Sequence, residues 1–232
     1  MARQIALHEQ HARNRHNPAV IDFSKIARGY DWRNRMMTLG LDVLWRRRAA
    51  ALVPRASRIL DLACGTGDFC LVLRRRFPEA KVRGVDISEG MLEIARVKCP
   101  GAEFAVGDVM SVEWGTPDLV SCAFGFRNFP EKGAVLAKAA EVLPEGGHFL
   151  VLELWRPANR ALGACVSAWL WVFSAIFARA ERAEYDYLRR SISATLGADE
   201  FIALAGREGF ALRRRLGLLP SATALLFERV RA

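Results

Sequence analysis

An apolar strand that ends in a glycine turn constrains the fold of this chain more than any other feature. Residues 59–63 are predicted to form a buried parallel strand, and the turn that follows, with Gly65 and Gly67, opens a helix at Asp68. A second predicted strand ends at Asp86. These elements form the βαβ unit that binds nucleosides, because the glycines admit a ligand close to the backbone and the carboxylate can accept hydrogen bonds from both ribose hydroxyls.

The residues of the turn discriminate between the ligands of such units. A dinucleotide site has a third glycine where this chain has Cys70, and Asp68 at the helix start would repel a pyrophosphate. The chain also lacks the GK[ST] signature of a phosphate-binding P-loop. An acidic turn suits a ligand with an ammonium and a sulfonium group. We therefore expect S-adenosylmethionine, with Asp61 and Asp68 near its amino-acid end and Asp86 on its ribose. The alternative is a βαβ crossover whose glycines serve only the turn.

Strand-like and helix-like segments alternate along the chain, which predicts a doubly wound α/β sheet in one domain, 1–232. The predicted strands are 59–63, 81–86, 103–106, 118–124, 148–154, 211–217 and 222–229. The predicted helices are 68–76, 89–98, 132–142 and 199–208, with a further helical segment near the N-terminus. We expect a Rossmann-like, seven-stranded, mostly parallel sheet with helices on both faces, and a flexible terminus at 1–20.

Charge and cysteine usage limit the class of protein. The five cysteines are scattered and never form a CxxC pair, which favours a reducing compartment over a disulfide framework or zinc site. A cytoplasmic location is expected, with an organelle matrix as the alternative. No other group of residues has metal-ligand spacing, so no metal is expected. The net charge of +9 comes largely from arginine, with triplets at 46–48, 74–76 and 213–215. Because no aromatic residues interleave with these triplets as in RNA-binding motifs, nucleic acid is not an expected partner. Attraction to an anionic membrane surface and simple solubility both stay open.

One apolar segment suggests contact with lipid. Residues 161–178 carry no charge and are crowded with aromatic and aliphatic side chains, including Trp169 and Trp171. The segment is only just long enough for a spanning helix, and its tryptophans lie mid-segment rather than at the ends. We expect a helix that lies in the membrane interface or covers a hydrophobic substrate tunnel, with a helix buried in the core as the alternative.

The remaining motifs resemble one enzyme family. Phe-Gly-Phe-Arg-Asn at 124–128, a Pro-Glu-Gly-Gly turn at 144–147 and a Leu-Val-Leu-Glu strand at 150–153 follow the glycine turn. A Tyr-Asp block at 30–31 precedes it, and Tyr-Asp-Tyr-Leu-Arg-Arg-Ser-Ile at 185–192 comes late in the chain. Together these are similar to the quinone C-methyltransferases, which methylate demethylmenaquinone and the polyprenyl-benzoquinol precursor of ubiquinone. The resemblance covers about residues 20 to 230 and implies the class I methyltransferase fold.

This resemblance implies a cofactor site and its partners. The expected S-adenosylmethionine contacts come from the turn, from the ends of the second and third strands and from the fourth strand. The resemblance implies Thr66, Asp86, Asp108 and Val109, and the residues expected beside them are Asp61, Gly65, Gly67, Ile87 and Ala123. For Asp108 the alternative is a helix cap. The chain departs from the family at Ala123, where a serine is common, and at 193–197, where a polar segment is usual. The substrate is expected to be a prenylated quinol. The protein is expected to bind peripherally at the inner face of a membrane, with residues 155–195 forming a helical cover over the substrate site. A homodimer stays open.

Methylation of an aromatic carbon requires a ring hydroxyl that loses its proton, so that the adjacent carbon becomes nucleophilic. Arg127 stays protonated in proteins and is expected to stabilise the phenolate or polarise a water, with Asn128 orienting the hydroxyl and Tyr30 completing the cluster. The alternative is that Arg127 and Asn128 only hold the loop after the fourth strand. Rival functions are a methyltransferase for a soluble molecule, a non-catalytic S-adenosylmethionine-binding or RNA-binding protein, and a diverged enzyme acting on a quinone head group.

Overall fold

A computed structural model describes residues 27, 29–157, 159–177, 182–218 and 222–231 of the chain. The predicted flexible terminus, 1–20, lies outside the described residues. Within the described residues, seven strands form one sheet with the order β3-β2-β1-β4-β5-β7-β6, in which β7 runs opposite to the other six strands. The strands are β1 (Arg58–Leu62), β2 (Lys81–Asp86), β3 (Glu103–Val106), β4 (Leu119–Ala123), β5 (His148–Leu154), β6 (Phe210–Leu218) and β7 (Ala222–Arg229). The predicted seven-stranded, mostly parallel sheet is confirmed.

Helices cover both faces of this sheet, as predicted. They are α1 (Tyr30–Met37), α2 (Leu41–Ala50), α3 (Asp68–Arg76), α4 (Glu89–Lys98), α5 (Lys132–Val142), α6 (Arg160–Phe177), α7 (Arg182–Ala194) and α8 (Ala198–Arg207), with a 3₁₀ turn at Phe126–Asn128. Side chains of β1 alternate between two cores: Ile59 packs with the α2–α3 side, whereas Leu60 and Leu62 pack with the α5–α8 side. The predicted N-terminal helical segment is present as α1 and α2.

Two strands end earlier than the sequence pattern predicts. β1 stops at Leu62 and β4 stops at Ala123, because the next residues, Ala63 and Phe124, have φ values of +50° and +63°. Such left-handed backbone is costly for a residue with a side chain, and it is found mainly where a functional loop requires it. Both residues lie at the carboxyl edge of the parallel strands, where α/β sheets bind their ligands.

The apolar segment forms α6, which is neither buried in the core nor a membrane span. Its inner side packs on α7, where Phe173 and Tyr185 have ring centroids 5.4 Å apart. Its outer side is open, with Trp171 51% and Ile176 61% exposed. The core-helix alternative is therefore wrong for the outer side. Among the described helices, none has the length and apolar character needed to cross a bilayer.

Candidate active site

The glycine turn between β1 and α3 leaves room for a ligand. Gly65 and Gly67 both have left-handed backbone, with φ values of +54° and +77°. A Cβ added at Gly65 would meet no atom within 4 Å, so this glycine faces open space. At Gly67 a Cβ would lie 3.0 Å from the Cβ of Ala95 in α4, so this glycine permits close packing of the helix instead. Only the first of the two glycines lies against space that a ligand can fill.

Asp86 lies beside this turn at the end of β2, as predicted. Its Oδ2 accepts a hydrogen bond from the Gly65 N–H at 2.8 Å, and its Oδ1 accepts from the Ser88 N–H at 2.9 Å. Burial raises the pKa of Asp86, although hydrogen bonds from the backbone N–H groups of Ser88, Gly65 and Ile87 oppose that shift. The carboxylate thus holds the glycine turn by a direct hydrogen bond. Its remaining lone pairs lie at the carboxyl edge of the sheet and are available to accept further hydrogen bonds.

Asp61 lies deeper than the sequence prediction placed it. Its carboxylate is buried within β1, where Oδ1 accepts from the Ser121 hydroxyl at 2.7 Å and Oδ2 accepts from the Cys70 thiol at 3.3 Å. Burial raises the pKa of Asp61 to about 7, a shift that the Ser121 and Cys70 hydrogen bonds only partly oppose. A contact between Asp61 and a cofactor stays a prediction, and its observed partners are inside the protein.

The raised pKa of Asp61 predicts a pH dependence of stability. The unfolded carboxyl loses its proton near pH 3.8 and the folded one near pH 7, so between these values rising pH ionises only the unfolded chain. The free energy of unfolding should therefore fall across this window. Urea unfolding of the wild type at pH 5 and pH 8 should show a loss of about 3 kcal/mol that Asp61→Asn lacks. Asp199→Asn, at an exposed position, is the control; an equal pH dependence in wild type and Asp61→Asn would contradict the prediction.

A network of charged side chains ties α1 to the glycine turn, which the sequence did not predict. The Thr66 hydroxyl donates to Asp31 Oδ1 at 2.6 Å, and Lys98 of α4 pairs with both Asp31 and Asp68. Arg35 Nη2 contacts Asp68 Oδ2 at 2.8 Å. Burial alone would raise the pKa of Asp68, but Arg46, Lys98 and Arg35 hold it below its usual range. Thr66 and Asp68, both expected near the cofactor, are thus positioned by the N-terminal helical segment.

The ends of β2, β3 and β4 place the other predicted cofactor residues at the same edge of the sheet. Ile87 is 51% exposed after β2, and Val109 is buried, with its carbonyl accepting from Trp114 Nε1 at 2.7 Å. Asp108 Oδ1 accepts from the Met110 N–H at 2.7 Å in a turn, so the helix-cap alternative for Asp108 is replaced by a turn contact. Ala123 is the last residue of β4.

Arg127 forms a buried ion pair that sequence reasoning did not predict. Its Nη1 lies 2.7 Å from Oε1 of Glu153 in β5, and its backbone N–H donates to Oε2 at 3.0 Å. Glu153 is fully buried and the Arg127 side chain is 9% exposed. Burial alone would lower the pKa of Arg127, but Glu153, Tyr30 and Tyr187 raise it. The observed bonds match the alternative in which Arg127 holds the loop after β4, and they leave it charged beside two tyrosines.

The predicted catalytic residues come together, with one addition from α7. Tyr30 and Tyr187 both raise the pKa of the Arg127 guanidinium through electrostatic attraction. The Tyr187 hydroxyl donates to Asn128 Oδ1 at 3.2 Å, and Arg127 Nε donates to the Ser191 hydroxyl at 3.3 Å. Sequence reasoning used Tyr187 only as part of a motif. The second tyrosine of the Tyr-Asp-Tyr-Leu motif was the sequence signal for Tyr187, but only its contact with Asn128 shows where the hydroxyl points.

The site thus combines a turn suited to a nucleoside cofactor with a cluster of phenol, amide and guanidinium groups. The profile of the ubiE/COQ5 methyltransferase family matches residues 11–215. The chain belongs to this family. It is therefore a methyltransferase, and the resemblance inferred from its motifs is confirmed.

Relatives in this family cover most of the chain. The demethylmenaquinone methyltransferase of Thermotoga maritima is 36% identical over 196 residues, which are 81% of this chain and 86% of that protein. The enzyme of the same name from Thermus thermophilus is 37% identical over 205 residues, 84% of this chain and 93% of that protein. The ubiquinone/menaquinone biosynthesis C-methyltransferase UbiE of Campylobacter jejuni is 32% identical over 207 residues, 82% of this chain and 88% of that protein.

Solved structures of methyltransferases share the fold. Human N-acetylserotonin methyltransferase, solved in complex with S-adenosylmethionine, superposes with a TM-score of 0.64 at 17% identity, over 92% of this chain and 60% of that one. The plantazolicin methyltransferase BpumL, solved with S-adenosylhomocysteine, gives 0.64 at 17% identity, over 89% of this chain and 90% of that one. At such identities the likeness establishes the fold, which is the Rossmann-like fold predicted from the sequence.

Proposed function

We propose that this methyltransferase transfers a methyl group from S-adenosylmethionine to a ring carbon of a prenylated quinol, a naphthoquinol or a benzoquinol. The strongest support for this reaction is that Tyr30, Asn128 and Tyr187 are grouped around the Arg127–Glu153 pair, beside the glycine turn. Hydroxyl, amide and guanidinium groups are suited to a ring with two hydroxyls. The names of the Thermotoga, Thermus and Campylobacter relatives support the same substrate class.

The residues present fit S-adenosylmethionine. The open space at Gly65 admits a ligand, Asp86 lies beside it for the ribose hydroxyls, and exposed Ile87 offers an apolar surface to the adenine. Asp108 and Val109 would bind the polar edge of the adenine, and Thr66 would bind the amino-acid end. Ala123 lies at the end of β4 beside this space, whereas Asp61 and Gly67 would support the turn from inside the protein. When bound, S-adenosylmethionine supplies an electrophilic methyl group.

The cluster around Arg127 prepares the quinol. The Tyr187 hydroxyl donates to Asn128 Oδ1, and the amide N–H of Asn128, with the Tyr30 hydroxyl, would then orient the ring hydroxyl by hydrogen bonds. As this hydroxyl loses its proton to water, the Arg127 guanidinium stabilises the negative charge on the oxygen, although Glu153 reduces the net charge of the pair. The adjacent ring carbon gains electron density and would form the new bond to the methyl carbon while the methyl–sulfur bond breaks and its electron pair stays on the sulfur, giving S-adenosylhomocysteine; the ring carbon would then release its own proton to solvent. Holding both reactants in line provides much of the acceleration.

We also propose that the protein meets its prenylated substrate at a membrane surface without spanning it. The exposed outer side of α6 and the arginine-rich composition support this location. Because α7 contacts the 3₁₀ turn through Tyr187 and Ser191, the α6–α7 pair joins that outer surface to the cluster around Arg127. Such a pair can serve as the helical cover expected for 155–195.

Product analysis tests the proposed reaction. The full chain is incubated with S-adenosylmethionine carrying a deuterated methyl group and with short-tailed demethylmenaquinol or the corresponding benzoquinol, and mass spectrometry locates the label. Tyr187→Phe should lower kcat about 10-fold, because Asn128 loses the hydrogen bond that positions its amide, worth about 1–1.5 kcal/mol. Tyr185→Phe on the same helix is the matched control, since Tyr185 packs on Phe173, and it should stay within about twofold. Unlabelled quinols, or equal rates for the two variants, would refute the assignment.

A further inference from the structure

Helices α6 and α7 border a half-open cavity apart from the cluster around Arg127. It has a volume of about 210 Å³ and is bounded on one side by the loop after β5. A more open hollow of about 570 Å³ adjoins it. The polar side chains that line the two are Arg156, Asn159, Ser167, Arg189, Arg190 and Ser193. Of the side chains described, no aspartate or glutamate lines either hollow, so their chemistry is that of an anion site.

The arginines of this cavity keep hydrogen-bond donors for a ligand. Arg156 pairs with Glu200, and Arg189 Nη2 lies 3.2 Å from Asp186 Oδ1. Both pairs are about half exposed, so their net stabilisation is small, and each guanidinium has five N–H donors. Ser193 donates its hydroxyl to the Arg189 carbonyl at 3.0 Å, so the guanidinium groups supply the donors that match the oxygens of a phosphate.

The outer side of α6 next to this cavity is apolar. Of the side chains described in this helix, the exposed ones are Ala161, Ala164, Cys165, Ala168, Trp169, Trp171, Val172 and Ile176. Ala164 also lines the cavity, so the apolar surface begins at the cavity wall. The Trp169 indole donates to the Met37 carbonyl at 3.0 Å, which joins this side of α6 to the exposed Leu39 in the turn after α1. We call this continuous apolar area the α6 surface.

We propose that the arginine-lined cavity binds the phosphate of an anionic phospholipid while the α6 surface lies in the membrane interface. A free phosphate would require only the cavity, whereas a phospholipid also uses the apolar side chains that begin at its wall. Tryptophans suit the interface because they combine an apolar ring with a polar N–H. This inference deepens the proposed function and rests on it, because a prenylated quinol resides in a bilayer.

Vesicle binding tests this assignment. Sedimentation of the full chain with vesicles of equal parts phosphatidylglycerol and phosphatidylcholine is compared with pure phosphatidylcholine. The double variant Arg189→Gln with Arg190→Gln should bind the anionic vesicles at least about tenfold more weakly. The matched control is Arg75→Gln with Arg76→Gln, which removes the same charge at the far end of α3 and should stay within about twofold. Trp171→Glu, at a half-exposed position, should also weaken binding.

Three outcomes would overturn the assignment. Equal losses in the two double variants would show diffuse attraction rather than a site. Binding to neither vesicle would exclude the lipid. Saturable binding of inorganic phosphate that Arg189→Gln abolishes, without vesicle binding, would identify free phosphate as the ligand. Methylation of a short-tailed quinol in detergent separates this inference from the proposed function. In this assay the Arg189 and Arg190 double variant should keep wild-type turnover. If the wild type methylates no quinol, the proposed function is refuted, whereas the vesicle result still stands.

Discussion

Replacing Arg127 by methionine should lower the free energy of unfolding by about 3–5 kcal/mol, because it leaves the buried Glu153 carboxylate without its counter-ion. Glu153 is fully enclosed, and the guanidinium binds both this carboxylate and the Phe124 carbonyl. Methionine preserves much of the side-chain volume, so the loss reports the charge and its hydrogen bonds rather than a cavity. Urea unfolding monitored by tryptophan fluorescence measures the change.

Two variants separate the buried pair from a general loss of arginine. Arg189→Met breaks a half-exposed pair with Asp186 and should cost less than about 1 kcal/mol. Adding Glu153→Gln to Arg127→Met removes the uncompensated charge and should recover part of the stability. The double variant, assayed where it is folded, then tests catalysis: restored stability with turnover still lowered indicates that the Arg127 charge acts on the quinol. A loss below 1 kcal/mol for Arg127→Met alone would contradict the buried-pair interpretation.

Asp86→Ala should weaken the binding of S-adenosylmethionine at least about a hundredfold, because two charge-assisted hydrogen bonds to the ribose disappear at about 1.5–3 kcal/mol each. The same carboxylate accepts from the Gly65 and Ser88 N–H groups, so its removal also frees the glycine turn that faces the ligand. Isothermal titration calorimetry with the full chain gives the affinity directly.

Asp118→Ala is the matched control for Asp86. Asp118 accepts from the backbone N–H groups of Ser57 and Arg58 at 2.9–3.0 Å, as Asp86 does from its own loop, but at the opposite edge of the sheet. Its loss should therefore reduce stability and leave the affinity within about twofold. Unchanged affinity in Asp86→Ala, or an equal loss in both variants, would refute the ribose assignment.

Local sequence patterns were sufficient to predict the helices and strands around the glycine turn and part of the site. The helices 68–76 and 89–98 and the strand 81–86 lie where predicted, because apolar periodicity and turn glycines act over a few residues. The position of Asp86 follows for the same reason: a parallel strand followed by a turn brings its last residue to the carboxyl edge of the sheet. The ends of β1 and β4 were predicted one residue too late, since the left-handed backbone of Ala63 and Phe124 has no signature in residue type.

The sequence by itself determined the order of elements, the glycine turn and the residues available for chemistry. Only the tertiary structure decided their partners: Glu153 pairs with Arg127 across 26 positions, Tyr187 reaches Asn128 across 59, and Asp31 reaches Thr66 across 35. Such contacts depend on which strand ends lie side by side and on how α1 and α7 pack over them. The physical reason is that periodicity records which face of an element is buried, whereas the partner of a polar side chain is set by long-range packing of the chain.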